Sequence, residues 1–281
     1  MRIDKALATA ASVLETAGIE NPHREARLLA AFVLQQQESF IFAHPEKDLT
    51  ADELSKLNTV TSRRAAREPF QYITGTREFY GLDLVVTPDV LIPRPETEFL
   101  VESAIYHLSS ISEPLFLDIG TGSGCIPVSI LKNVREAQAT AVDISPAALT
   151  IAKLNADNHE VADRLTLLVS DVFVNVGNAK FDLITSNPPY ISTEEMRDLQ
   201  PEVFDHEPHI ALTDGDDGLS IISRIVTQSP TYLKSGGLLL IEIGHLQSLH
   251  VQQMFSSQLW RDIRFIKDLQ NIPRIVSARL L

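Results

Sequence analysis

The stretch "LFLDIGTGSG", residues 115–124, decides how this chain is read. Leu115 to Ile119 is a short apolar run broken by one carboxylate, Asp118. Three glycines in the next five residues end it. A run of that length stopped by glycine reads as a buried strand, and glycine lets the backbone turn tightly and approach a ligand closely. A helical pattern over 123–134 follows, so the unit is strand, turn, helix. Its glycines are spaced G-x-G-x-G, which departs from the dinucleotide spacing G-x-G-x-x-G.

Outward from this unit the pattern keeps alternating. Further strands are expected at 139–143, 165–169, 181–186, 238–243, 262–268 and 274–280. Helices are expected at 146–158, 218–234 and 245–257, with another at 98–109 capped by Thr97. Alternation of this kind implies an α/β fold, a doubly wound seven-stranded Rossmann-like sheet with helices on both faces. The second strand ends at Asp143, 21 residues past Gly122. A carboxylate at that tip is placed to accept both hydroxyls of a ribose. Nicotinamide, flavin adenine and S-adenosylmethionine cofactors all fit that much. Asp171-Val172-Phe173 closes the third strand, where an adenine would lie.

Residues 1–66 have a different texture. Ile3, Leu7, Ala10, Leu14 and Ala17 share one helical face. Asn21-Pro22 marks a helix start, and Thr50 to Glu53 fits a capping box. A small all-helical domain is expected at 1–67. Tyr72 to Val86 reads as a β-hairpin turning near Gly81, within a linker at 68–95. The sheet domain then spans 96–281. No run of 18 apolar residues occurs, no secretory pattern opens the chain, and the single cysteine allows no internal disulfide. Net charge is −13, with 10 basic and 13 acidic residues in 1–90. That balance argues against a primary nucleic-acid binder, which needs basic residues to displace counterions.

The fourth strand runs into Asn187-Pro188-Pro189-Tyr190, at the edge where open α/β sheets bind ligands. Asn187 and Pro188 each precede a proline and are pushed into extended geometry. The prolines offer no N–H. The result is a stiff stub presenting the Asn187 side-chain oxygen and the Pro188 carbonyl, with the Tyr190 ring beside them. That suits a planar NH₂ group: two acceptors take its two N–H bonds and the ring stacks on its plane. An amide nitrogen is a poor nucleophile because its lone pair is delocalised. Placement and electrostatics must then carry the reaction.

Together, the glycine loop, Asp143 and Asn187-Pro188-Pro189-Tyr190 resemble a class I S-adenosylmethionine-dependent methyltransferase acting on planar nitrogen. "TGTREFYGLDLVVTPDVLIPRPETE", 74–98, and "FDHEPHIALTDGDDGL", 204–219, resemble the protein-(glutamine-N5) methyltransferases of peptide-chain release factors. The resemblance implies S-adenosyl-L-methionine as cofactor, held by Gly120, Thr121, Gly122, Ser123, Gly124 and Asp143. Val172 stands where the family often has a Trp beside adenine, so that contact falls to Val172 or to Phe173. Asn187 borders the methionine end of the cofactor. Asn187, Pro188, Pro189 and Tyr190 would hold the target glutamine amide, with Asn187, Pro188 and Tyr190 catalytic. Arg94 and Glu98 would shape the pocket floor. The implied partner is a release factor docked by the helical domain, in the cytoplasm, with a monomeric enzyme, no membrane and no direct nucleic acid. Rival readings are an adenine-N6 DNA or ribosomal-component N-methyltransferase, and a nucleotide-dependent oxidoreductase that would leave Asn187 to Tyr190 idle. His206-Glu207-Pro208-His209 reads as a loop, not a metal site, since no further Cys or His recurs at ligand spacing. Cys125 reads as a packing residue. The acids from Glu194 to Asp217 read mostly as a solvated face.

Overall fold

A computed structural model describes residues 1–281. The chain forms two compact units: Met1–Gly75 with Gln200–His206, and Thr76–Leu199 with Glu207–Leu281.

The first unit is helical: α1 (Ile3–Thr16), α2 (Pro22–Leu34), α3 (Glu38–Ala43), α4 (Ala51–Ala65) and α5 (Phe70–Thr74), with α9 (Pro201–Phe204) from the second segment. Leu14, Leu29, Ile41 and Leu57 meet in its core. The capping box at α4 is present, with Glu53 N donating to Thr50 Oγ1 and Thr50 N donating to Glu53. Asn21 stands before α2 as expected but makes no side-chain cap bond. Arg64, 8% exposed, donates to Glu25 and to Glu202, so a charge in this small core is matched on both sides. The expected hairpin over 72–86 is shorter than its pattern. Tyr72, Ile73 and Thr74 lie in α5, where Tyr72 and Ile73 are buried. The strands are β1 (Thr76–Phe79) and β2 (Leu82–Val85), turning at Tyr80-Gly81.

The second unit is built on seven strands: β3 (Leu115–Ile119), β4 (Gln138–Asp143), β5 (Leu165–Val169), β6 (Phe181–Ser186), β7 (Leu233–Glu242), β8 (Trp260–Lys267) and β9 (Pro273–Leu280). Their order is β5-β4-β3-β6-β7-β9-β8. The first five are parallel, and β9 pairs antiparallel with both β7 and β8. Alternate residues of β3 feed opposite faces. Leu117 and Ile119 pack with α11 (Ser220–Gln228) and α12 (Ser248–Gln253). Phe116 packs with α6 (Glu98–Leu108), α7 (Cys125–Asn133) and α8 (Pro146–Asn158). The expected helices over 218–234 and 245–257 are therefore cut to Ser220–Gln228 and Ser248–Gln253. A last short helix, α10, covers His209–Leu212.

One side chain couples three of these parts. Asn155 of α8 is fully buried. Its Oδ1 accepts from Val85 N at 2.7 Å, and its Nδ2 donates to Val85 O and to Ser123 O, both at 2.9 Å. The hairpin and the glycine turn are thus fastened to the same amide. Asn155→Ala leaves these backbone groups unpaired and is expected to cost about 2–4 kcal/mol of unfolding free energy, measured by urea titration. A loss below about 0.5 kcal/mol in that titration would mean water replaces the amide at no cost.

Candidate active site

Chain order reverses between β3 and β6: β4 and β5 lie on one side of β3, and β6 lies on the other. Ligands of open α/β sheets bind at such a switch point, outside the carboxyl ends of the strands. Ile119 pairs with Ser186 there, so Gly120 and Asn187 emerge side by side. A Cβ placed on Gly120 would sit 3.9 Å from the Asn187 carbonyl oxygen. The cleft at this point is lined by Gly120, Thr121, Gly122, Ser123, Asp143, Val172, Asn187 and Pro189. A further part of its wall comes from Asp89, Val90, Leu91 and Pro93 and from Pro208, Ile210, Ala211 and Thr213.

The glycine turn is held from two sides. Gly120 N and Thr121 N both donate to Val142 O at the end of β4. Gly122 N donates to Asp143 Oδ2 at 2.8 Å, and Ser145 N donates to Oδ1 at 2.9 Å. Each carboxylate oxygen keeps a lone pair for a further donor. Burial raises the Asp143 pKa against those two amides. Gly124 does not line the cleft. It is the N-cap of α7, at φ +78°, and a Cβ there would press on Ala152 at 3.1 Å. Its glycine serves helix packing. Val172 reaches the cleft wall, whereas Phe173 is turned into the core, stacked on Tyr232 at 4.4 Å. Of the two residues expected near an adenine, only Val172 faces the site.

Beyond Asn187 the motif is anchored by its neighbours. Asn187 Nδ2 donates to Thr97 Oγ1 at 3.1 Å. Thr97, 1% exposed, donates to Glu242 Oε2 at 2.7 Å, and the Tyr190 hydroxyl donates to Glu242 Oε1 at 3.2 Å. Thr97 therefore spends its hydroxyl here and does not cap α6, as its position in sequence suggested. No protein donor takes Asn187 Oδ1 or the Pro188 carbonyl. Pro188 and Tyr190 lie off the cleft wall itself. The Tyr190 carbonyl accepts from Gln247 Nε2 at 2.9 Å, and Gly218 packs so closely that a Cβ there would overlap that carbonyl.

Several of these supports give no sequence signal beyond being polar. Glu242 reads as the end of an apolar strand, and Gln247 as a surface helix residue. Glu207, 4% exposed, accepts from Arg94 Nη2 at 2.6 Å and from Ile92 N, joining the 89–93 and 208–213 segments of the wall. Arg94 thus shapes the wall through Glu207. Glu98 accepts from Tyr80 N and is absent from the cleft lining. The acids read as a solvated face are partly structural. Asp214 accepts from the amides of Asp216, Gly218 and Ser220, and Glu202 and Glu207 hold arginines. Cys125 has some surface on the cleft, yet the protein around it and then Asp118 push its thiol up to about 12. It is no nucleophile near neutral pH.

Do these residues fit a bound cationic nucleoside? Asp118 is fully buried beneath the turn, with Thr185 donating to Oδ1 at 2.8 Å. Thr121 lies near the carboxylate but outside hydrogen-bonding geometry, and Asp118 Oδ2 and Ser123 Oγ have no partner. A glycine turn, unpaired buried oxygens and a carboxylate with spare lone pairs suit a ligand that brings donors and positive charge. Burial pushes Asp118 up to about 6. Its contribution to folding is therefore complete below the ordinary value near 3.8 and is lost as pH rises through about 6. Asp118→Asn removes that loss. The stability of the wild type relative to this variant is expected to fall by about 3 kcal/mol from about pH 4 to about pH 7, read from paired urea titrations.

Comparison with known proteins follows the same division. Residues 5–75 match the family described as PrmC N-terminal domain, and 97–216 match the methyltransferase small domain. The release factor glutamine methyltransferase of Geobacter sulfurreducens is 41% identical over 281 residues, covering 99% of this chain and 96% of that protein. That of Cereibacter sphaeroides is 41% identical over 282 residues, covering 100% and 99%. A crystal structure of a methyltransferase from Pyrococcus furiosus shares the fold at 17% identity, with a TM-score of 0.54, over 78% of this chain and 98% of that one. With relatives of this similarity aligned along its whole length, the chain belongs to the release factor glutamine methyltransferases, enzymes that use S-adenosyl-L-methionine.

Proposed function

We propose that this enzyme methylates the side-chain amide nitrogen (N5) of the glutamine in the Gly-Gly-Gln motif of a class 1 peptide-chain release factor. The carrying observation is the stub after β6: Asn187 lies on the cleft wall next to the glycine turn with its side-chain Oδ1 free of protein donors, and the following carbonyl, that of Pro188, is also without one. S-Adenosyl-L-methionine would be held by Gly120, Thr121, Gly122 and Ser123, by Asp143 at the ribose and by Val172 at the adenine. When bound it supplies a sulfonium methyl, whose bond to sulfur breaks as a bond to nitrogen forms, leaving a thioether.

The protein's own part is placement. Asn187 Oδ1 and the Pro188 carbonyl take the two N–H bonds of the target amide, and Tyr190 packs against its plane. Both acceptors face the nitrogen on which positive charge grows during transfer. The N-methylated amide is a strong acid at that stage, so its surplus proton passes to water without a dedicated base. The helical unit docks the release factor, and the enzyme works as a monomer.

Incubation with isotopically labelled S-adenosylmethionine and a cell extract, followed by mass spectrometry, tests the reading. Label is expected on a glutamine of a release factor; label on adenine in nucleic acid would overturn it. Asn187→Ala is expected to keep donor binding within about three-fold while transfer falls by about 10³ or more. Asp143→Ala is expected to weaken donor binding by about ten-fold or more in calorimetry, the loss of two charge-assisted hydrogen bonds. Unchanged affinity would remove Asp143 from the ribose.

A further inference from the structure

The chain of hydrogen bonds from Asn187 through Thr97 to Glu242 has a direction, and the direction follows from counting hydrogens. A threonine hydroxyl has one hydrogen to give. Thr97 gives it to the Glu242 carboxylate at 2.7 Å, a short distance typical of a charge-assisted bond. Its oxygen can then only accept, and the one side chain that reaches it is the Asn187 amide, at 3.1 Å. An ionised Glu242 therefore turns the NH₂ end of Asn187 toward Thr97 and the oxygen end away from it. The second carboxylate oxygen takes the Tyr190 hydroxyl, so the two ends of Asn187-Pro188-Pro189-Tyr190 are referred to one buried acid.

We infer that Glu242, acting through Thr97, is a positioning residue that sets which end of the Asn187 amide is offered to the substrate. The inference deepens the proposed reading of the cleft and rests on it for its catalytic consequence. If Thr97 instead received a hydrogen from this acid, it would donate to Asn187, and the amide would turn to present NH₂. Two donors would then face the NH₂ of a target glutamine, and the grip would become a repulsion.

The surroundings leave this acid poised. Glu242 is 1% exposed. Burial raises its pKa to about 7, opposed by the hydroxyls of Thr97 and Tyr190; Glu96 adds to the rise, and Arg274 opposes it. The Cys125 thiol also senses the charge of Glu242, and Arg94 and Arg274 act on Tyr190. These are the charged and titratable groups that face it. The Tyr190 phenol, pushed up by burial and then by Glu242, stays protonated and donates throughout.

The experiment uses the whole chain labelled with ¹⁵N-asparagine. The Asn187 side-chain amide resonances of the wild type are expected to shift in one step near pH 7. That step should vanish in Glu242→Gln and in Thr97→Val and return in Thr97→Ser. An amide that stays flat through this range in the wild type overturns the relay. Kinetics with a release factor give the second reading. Thr97→Val is expected to lower kcat by about ten-fold, the effect of one lost hydrogen bond, while donor affinity stays unchanged and the melting temperature falls, because the buried Glu242 carboxylate loses a donor. Thr97→Ser should recover most of the loss. Wild-type kcat in Thr97→Val, or an equal loss in Thr97→Ser, overturns the inference. A wild-type enzyme that leaves release factors unmethylated counts against the functional reading alone, and the amide titration then decides the relay.

Discussion

The register of β3 against β6 is the constraint on which the rest depends. Ile119 faces Ser186 across a parallel ladder, and both strands end at that pair. Parallel neighbours point their carboxyl ends the same way, so the glycine turn and the asparagine arrive at one edge together. A slip of one residue would turn the alternating faces of β3 over, putting Phe116 where Leu117 packs. The apolar core on both faces thus enforces the distance between the glycine turn and Asn187. Hydrophobic burial has a chemical consequence here, although no core residue touches a substrate.

Polar groups buried behind that edge refine the placement. Asp118 lies under the glycine turn, Glu242 behind the asparagine, and Glu207 between the 89–93 and 208–213 segments of the wall. Each is expensive to bury, and each is met by hydroxyls, backbone amides or an arginine. Asn155, Gln247 and Thr97 belong to the same shell, all of them uncharged side chains that bridge backbone or carboxylate groups. The site is stiff because its supports come from strands and helices packed on both sheet faces.

What could be read in advance follows from which signals are local. The glycine spacing, the double proline and the alternation of apolar runs are properties of neighbouring residues, and β3 to β6 fall where those patterns put them. α8 begins at its proline, Pro146, and spans the expected range. Pattern and structure part where tertiary packing overrides local preference. Tyr72 to Thr74 are β-branched or aromatic yet helical, because Tyr72 and Ile73 are buried by a helical turn. Phe173 neighbours a site residue but finds Tyr232 in the core. The Glu242 relay joins residues 90 and 145 positions apart, which no local motif encodes.

The helical unit is interrupted in sequence, because Gln200–His206 belongs to it while the residues on both sides belong to the sheet unit. Arg64 and Glu202 are 138 positions apart. On the ribosome, where N-terminal segments emerge first, the arginine is exposed long before its second carboxylate exists. The bundle therefore reaches its final electrostatic balance only after β3 to β6 have been made. Maturation of the two units is coupled in time, and a gene fragment ending at the apparent boundary encodes a bundle short of one counter-charge.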